Sequence, residues 1–145
     1  MASPTVYRLS DLPAESRENG TIDLRALRSE SAMVAIARIK PTGERALHGL
    51  HRHPYDQLVI VLEGTMSIHV EGKDYEVPAD SAINIPARAW HTGRALGDRD
   101  ARIFEILVPV RSEYVHLTSH QLERFVDTSG ETWFATESDK HSTHP

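Results

Sequence analysis

The chain has 145 residues, a length that fits one domain with a single sizeable core. Its formal net charge is −5 and its 16 Lys and Arg are scattered, so no concentrated basic face marks nucleic acid as the main partner. It has no cysteine, which excludes disulfides, thiolate zinc ligands and a cysteine nucleophile.

The N-terminal stretch MASPTVYRLSDLPAESRENG lacks an apolar signal core, and no run approaches membrane-spanning length. The expectation is a cytoplasmic protein with no membrane partner. Up to about Arg28 the residues are polar, with isolated apolar ones such as Val6, Leu9, Leu12, Ile22 and Leu24. This pattern predicts an N-terminal arm, residues 1–30, that lies over a core rather than forming one.

From Ser31 the texture changes. AMVAIARIK alternates, favours a strand and ends at the turn signal Pro41-Thr42-Gly43. Short β-type runs follow at Gln57–Glu63, Thr65–Val70, Asp74–Val77, Ser81–Ile85, Trp90–Arg94 and Ala101–Val108, separated by turns such as Glu71-Gly72-Lys73 and Pro78-Ala79-Asp80. Closely spaced strands with almost no helix signal between them predict an all-β antiparallel sandwich or barrel spanning residues 31–111. Residues 112–145 form a C-terminal extension. Within it, Thr118–Val126 reads as a short helix with Ser119 as N-cap and Leu122, Phe125 and Val126 on one face. The last residues are expected to be disordered, and His141 and His144 read as part of a frayed tail.

The chemistry concentrates in HRHPYDQLVIVLEG, residues 51–64. Side chains alternate along an extended strand, so His51 and His53 share a face and their ring nitrogens can converge on one ion. Gln57 has the same parity, provided the backbone stays extended past Pro54, where proline favours a bulge or edge. About forty residues on, DSAINIPARAWH ends in a third histidine, His91.

This arrangement resembles the cupins. Gly49, His51, His53, Gln57 and Gly64 match the first cupin motif, and Pro86 and His91 match the second. Two departures stand out. Gln57 replaces the common glutamate, and Asp80 and Arg88 stand where the second motif often has glycines. The resemblance implies a double-stranded β-helix, or jelly-roll barrel, holding one divalent metal ion (Zn, Ni, Fe or Mn) through His51, His53, His91 and Gln57. Three imidazoles and a carboxamide are all neutral, so the ion would keep its full charge and act as a strong Lewis acid toward anionic oxygen ligands. A 2-His-1-carboxylate triad, the usual Fe(II) oxygenase pattern, would cancel one unit.

Glu105 lies in the apolar run ARIFEILVP, where a charge is out of place. Two readings stand: an inward carboxylate near the metal that carries protons, or one that faces solvent or pairs with an arginine on a neighbouring strand. A narrower resemblance, H-x-H-P-x-[DE]-Q with a later [DE]-x-x-x-P-x-R, is similar to the KdgF-type cupins that linearise unsaturated uronates. It implies metal ligation by His51, His53, Gln57 and His91, a catalytic acid at Glu105 and a site arginine at Arg111. That acid is typically aspartate, so Glu105 reaches one methylene further.

Arg111 either pairs with a substrate carboxylate or anchors the turn after Pro109. Tyr55 either lines the pocket mouth or packs, and Asp56 flanks the ligands. Trp90 and His69 read as structural, and His48, on the opposite parity, is set aside.

The expected function is Lewis-acid plus acid/base chemistry, such as tautomerisation, ring opening or cyclisation, on a small anionic oxygenated molecule such as a sugar acid. An iron-dependent dioxygenase and a non-catalytic ligand-binding module are the alternatives. A second copy is the expected protein partner, as a homodimer, with the N-terminal arm adding a strand to its neighbour's sheet edge.

Overall fold

The computed structural model describes residues 4–46 and 48–124, without the side chains of residues 122–124. Alternating apolar residues build nine strands: β1 (Glu15–Arg17), β2 (Ile22–Arg28), β3 (Met33–Ile39), β4 (Gln57–Glu63), β5 (Thr65–Val70), β6 (Lys73–Pro78), β7 (Ser81–Ile85), β8 (His91–Ala95) and β9 (Ala101–Leu107). They form a six-stranded sheet in the order β1-β2-β3-β9-β4-β7 and a three-stranded sheet in the order β6-β5-β8, with every pairing antiparallel. This is the expected cupin jelly roll.

Period-2 alternation decides which residues enter the core. On β4, Gln57, Val59 and Val61 are buried, and on β9, Ala101, Ile103 and Leu107 are buried. They pack with Met33, Ala35 and Met66 between the sheets. Gly64 ends β4 at φ +71°, and a Cβ there would lie 2.4 Å from the Asp100 carbonyl oxygen, so only glycine fits.

Two departures of the second motif prove to be departures of residue type and not of backbone. Asp80 and Arg88 keep the left-handed conformation that glycine adopts readily, at φ 65° and 67°. The Asp80 amide donates to the Val61 carbonyl at 2.9 Å and the Arg88 amide to the His53 carbonyl at 2.7 Å, which holds both turns.

The N-terminal region differs from the arm expected over residues 1–30. Residues 15–28 form β1 and β2, which pair with each other and, through β2, with β3 of the same chain. Leu24 and Ala26 are core residues, which the alternation in IDLRALR explains. The hairpin bend has Glu18, Asn19 and Gly20 all at positive φ.

The C-terminal extension also differs. A 3₁₀ segment runs from Ser112 to Arg124, kinked at Thr118, so Ser119 lies inside it rather than ahead of it. Val115 and Leu117 are buried, and the Gln121 amide bonds both backbone groups of Arg28 at 2.9 and 3.1 Å, which ties the segment to β2. Phe125, Val126, His141 and His144 lie outside the described residues. Among the described residues, no helix is long and apolar enough to cross a membrane.

Candidate metal centre and catalytic pocket

Backbone hydrogen bonds bring the two histidine motifs together. The His51 amide donates to the His91 carbonyl at 3.1 Å and the His91 amide returns a bond at 2.9 Å. His51 and His91 ring centroids are consequently 4.3 Å apart, and His53 and His91 4.9 Å. One ring nitrogen from each of His51, His53 and His91 lies within 4.8 Å of the other two.

The tautomers point the same way. The Nδ1 of each ring faces a backbone carbonyl two residues away: Gly49 for His51 at 3.4 Å, Tyr55 for His53 at 2.8 Å and Ala89 for His91 at 2.8 Å. A carbonyl only accepts, so Nδ1 donates, and in the neutral ring the lone pair falls on Nε2. Metal-binding histidines are commonly fixed in this way. His91, only 4% exposed, buries its Nε2 with no hydrogen-bond partner. Such an orphaned lone pair is costly unless a cation or a proton donor meets it. The site therefore fits a divalent metal ion.

Electrostatics favour the neutral, ligating form. Burial, followed by the neighbouring His91, pushes His51 down to about 4, and burial lowers His91 as well. Gln57, 7% exposed, places its amide oxygen 2.9 Å from His53 Nε2. That puts two lone-pair atoms face to face, an arrangement that positive charge between them would reconcile.

A cavity of about 80 Å³ opens beside the centre, with His51 and His91 in its lining. Its lining is mixed: Ile39, Val59, Met66, Ile68, Ile85 and Ile103 are apolar, while Gln57, Thr92, Glu105, Arg111 and Tyr114 join the histidines as polar groups. Of the two orientations open for Glu105, the structure shows the inward one, since it shares a face with buried Ile103 and Leu107 and lines the cavity. Burial raises its carboxyl above the usual range, and the Arg111 guanidinium opposes part of that rise.

Arg111 is 5% exposed, and its Nε has no partner among the described residues. Its Nη2 lies 3.3 Å from His53 Nε2. Tyr55 stands outside the cavity lining. Its ring stacks on His53 at 5.5 Å and 21°, and the Arg111 guanidinium lies 5.0 Å from its centroid. Tyr55 thus backs two site residues.

Asp56 accepts from the Ala87 amide at 3.0 Å and so secures the turn before His91. Trp90 packs under Arg52 on the outside, and His69 pairs with Asp74, both away from the cavity.

Two cavity residues escaped the sequence reasoning. His48 lines the cavity and meets His51 edge-on at 4.6 Å. Strand parity does not apply to it, because residues 48–50 are irregular. Tyr114 comes from the C-terminal segment, where no periodic pattern points at the barrel.

The fold and site define a small jelly-roll barrel with a three-histidine centre and an inward carboxylate. The cupin domain profile matches residues 36–107, and the chain belongs to the cupin family. It is 30% identical to the polyketide synthase CurC of Streptomyces cyaneus over 114 residues, covering 74% of this chain and 71% of that protein. It is 36% identical over 56 residues to a 5-nitrosalicylic acid 1,2-dioxygenase of Bradyrhizobium sp, covering 39% of this chain and 27% of that protein. Among solved structures, KdgF from a Halomonas species superposes with a TM-score of 0.65 at 17% identity, covering 75% of this chain and 98% of KdgF. That last likeness is one of fold.

Proposed function

We propose that the protein is a metal-dependent, non-oxidative isomerase or cyclase acting on a small anionic oxygenated substrate. The observation that carries this reading is Glu105: an inward carboxylate with a raised pKa, in a cavity that is also lined by His51 and His91 of the three-histidine cluster. Simple ligand storage has no need of such a proton carrier.

His51, His53 and His91 would hold the ion, with Gln57 as a fourth ligand. A divalent cation bound there supplies Lewis acidity to substrate oxygens. Glu105 takes a proton from the carbon next to a carbonyl, the electron pair of that C–H bond moves toward the carbonyl oxygen, and the carboxyl returns the proton elsewhere on the same molecule. The net change is an isomerisation that consumes no oxidant or reductant. Arg111, buried with an unpartnered Nε, pairs with a negative oxygen of the substrate.

Two substrate classes are in view. The narrower sequence motif supports a sugar acid, and the similarity to CurC supports a polyketide-type β-dicarbonyl. We favour the dicarbonyl. The similarity to CurC runs over 71% of that protein at 30% identity, whereas the likeness to KdgF is one of fold, and the isoleucine, valine and methionine part of the wall suits a molecule with fewer hydroxyls than a uronate.

The test is proton exchange in deuterium oxide under argon, followed by NMR, using zinc-loaded protein and 3-methylpentane-2,4-dione. An unsaturated monouronate forms a parallel arm read by loss of its chromophore. Wild type accelerates exchange or chromophore loss, and Glu105→Gln is at least 100-fold slower with cation binding intact. Equal rates for the two proteins on both compounds overturn the reading.

A second reading, an iron-dependent dioxygenase, draws support from the local similarity to the nitrosalicylate enzyme. Oxygen uptake by iron-loaded protein, with no anaerobic turnover, would establish it instead.

We propose in addition that the chain forms a homodimer. The outer face of the six-stranded sheet supports this, since the half-buried Phe104 and Ile60 lie side by side across β9 and β4, with Leu58 and Leu62 exposed beside them. The same face presents Arg38, Arg102, Glu63 and Asp100, both signs of charge that a two-fold axis can match.

A further inference from the structure

The C-terminal segment does more than cap the barrel. Arg111 and Tyr114 both leave it to line the cavity, joined by the Tyr114 amide donating to the Arg111 carbonyl at 3.1 Å. The segment is strapped to the N-terminal hairpin at several points. Gln121 grips the Arg28 backbone, His116 pairs with Glu15, and Glu15 also holds the Arg17 side chain at 2.9 Å. Arg17 in turn places its guanidinium 5.1 Å from the centroid of the Tyr114 ring. Strands outside the profile-matched region therefore fix an aromatic ring at the cavity wall. Among the described residues, the Tyr114 hydroxyl makes no hydrogen bond, so the most directional polar group on that wall is offered to a ligand.

We propose that Tyr114 is a substrate-contacting residue whose hydroxyl donates a hydrogen bond to the substrate oxygen remote from the histidine centre, and with Arg111 fixes which end of the substrate meets Glu105. A substrate with oxygens on adjacent or alternate carbons is selected over one with a single oxygen. The phenol is suited to donating, because burial and the nearby Glu105 carboxylate push its pKa up and keep the proton in place. Arg17 over the ring holds it against the cavity rather than against solvent. The proposal rests on the non-oxidative reading above.

The experiment compares wild type with Tyr114→Phe, both zinc-loaded and full length, with 3-methylpentane-2,4-dione as probe and deuterium exchange as readout. Zinc binding and melting temperature serve as controls for an intact fold. Loss of one hydrogen bond to a partly charged oxygen raises KM about tenfold or more while kcat changes less. The mono-ketone 3-methylbutan-2-one, which lacks the second oxygen, shows no difference between the two proteins. Equal KM for the dione in both proteins overturns the role of Tyr114 while leaving the function of Glu105 standing. Wild type no faster than Glu105→Gln overturns both together.

Discussion

Gly93 offers a direct measure of the cavity. It lies on β8 opposite Ile68, with its missing side chain directed inward between buried His91 and Ala95. A Cβ built there would sit 3.0 Å from Ile68 Cδ1 and 3.5 Å from Met66 Cε. The nearest atom is the tip of a flexible side chain, so Gly93→Ala requires a shift of a few tenths of an ångström at Ile68.

Burying the methyl contributes about 0.8 kcal/mol, and reduced freedom of the unfolded chain adds roughly 0.4–1 kcal/mol. Displacing Ile68 costs up to about 1 kcal/mol. The variant is therefore about 0.2–1.8 kcal/mol more stable, which at this chain length raises Tm by about 1–6 °C. The same methyl projects from a lining residue into a cavity of only about 80 Å³ and narrows it. Calorimetric melting of the metal-free protein reads the first effect. Titration of the zinc-loaded protein with 3-methylpentane-2,4-dione reads the second, an affinity loss of about tenfold. A Tm lowered by several degrees would refute the packing argument, and unchanged dione binding would show that ligands enter elsewhere.

Other expectations follow from the same geometry. His91→Ala removes the most buried ring nitrogen of the centre and weakens zinc binding by at least 100-fold in calorimetry, with a cooperative melt retained. The metal-free protein loses stability as pH falls from about 6.5 toward 4. His51 stays neutral in the fold down to about 4, whereas an unfolded histidine takes its proton near 6.5, so acid favours the unfolded chain. Allowing for partial exposure, the loss from this residue is of order 2 kcal/mol, and denaturant melts across that window measure it. His51→Asn flattens the dependence; an equally steep curve in that variant places its source elsewhere.

Much of the site was legible because it obeys period 2. His51 and His53 share a face, and the inward burial of Ile103 and Leu107 carries Glu105 with them. Parity left one point open at Glu105, since a strand has two faces and only the packed partner decides between them. It failed at His48, which sits in irregular chain where alternation has no meaning.

The hairpin of β1 and β2 was also within reach. Asn19-Gly20 is a strong turn signal, but the polar composition around it masks the two strands. Residues such as Arg25 and Asp23 face outward and pair at 2.8 Å, so their polarity says nothing against a strand. Tyr114 is different in kind. Its place follows from contacts made by Arg17 and Gln121, residues 97 and 7 positions away in the chain, and no local pattern encodes those.

The carbonyls of Gly49, Tyr55 and Ala89 have one further consequence. Each imidazole is held in the form a cation requires before any cation arrives, so no ring must turn over or pass its hydrogen from one nitrogen to the other during loading. The readiness of the centre is written into main-chain geometry. Side-chain evolution around the cavity can then alter which molecule is transformed without disturbing how the ion is gripped.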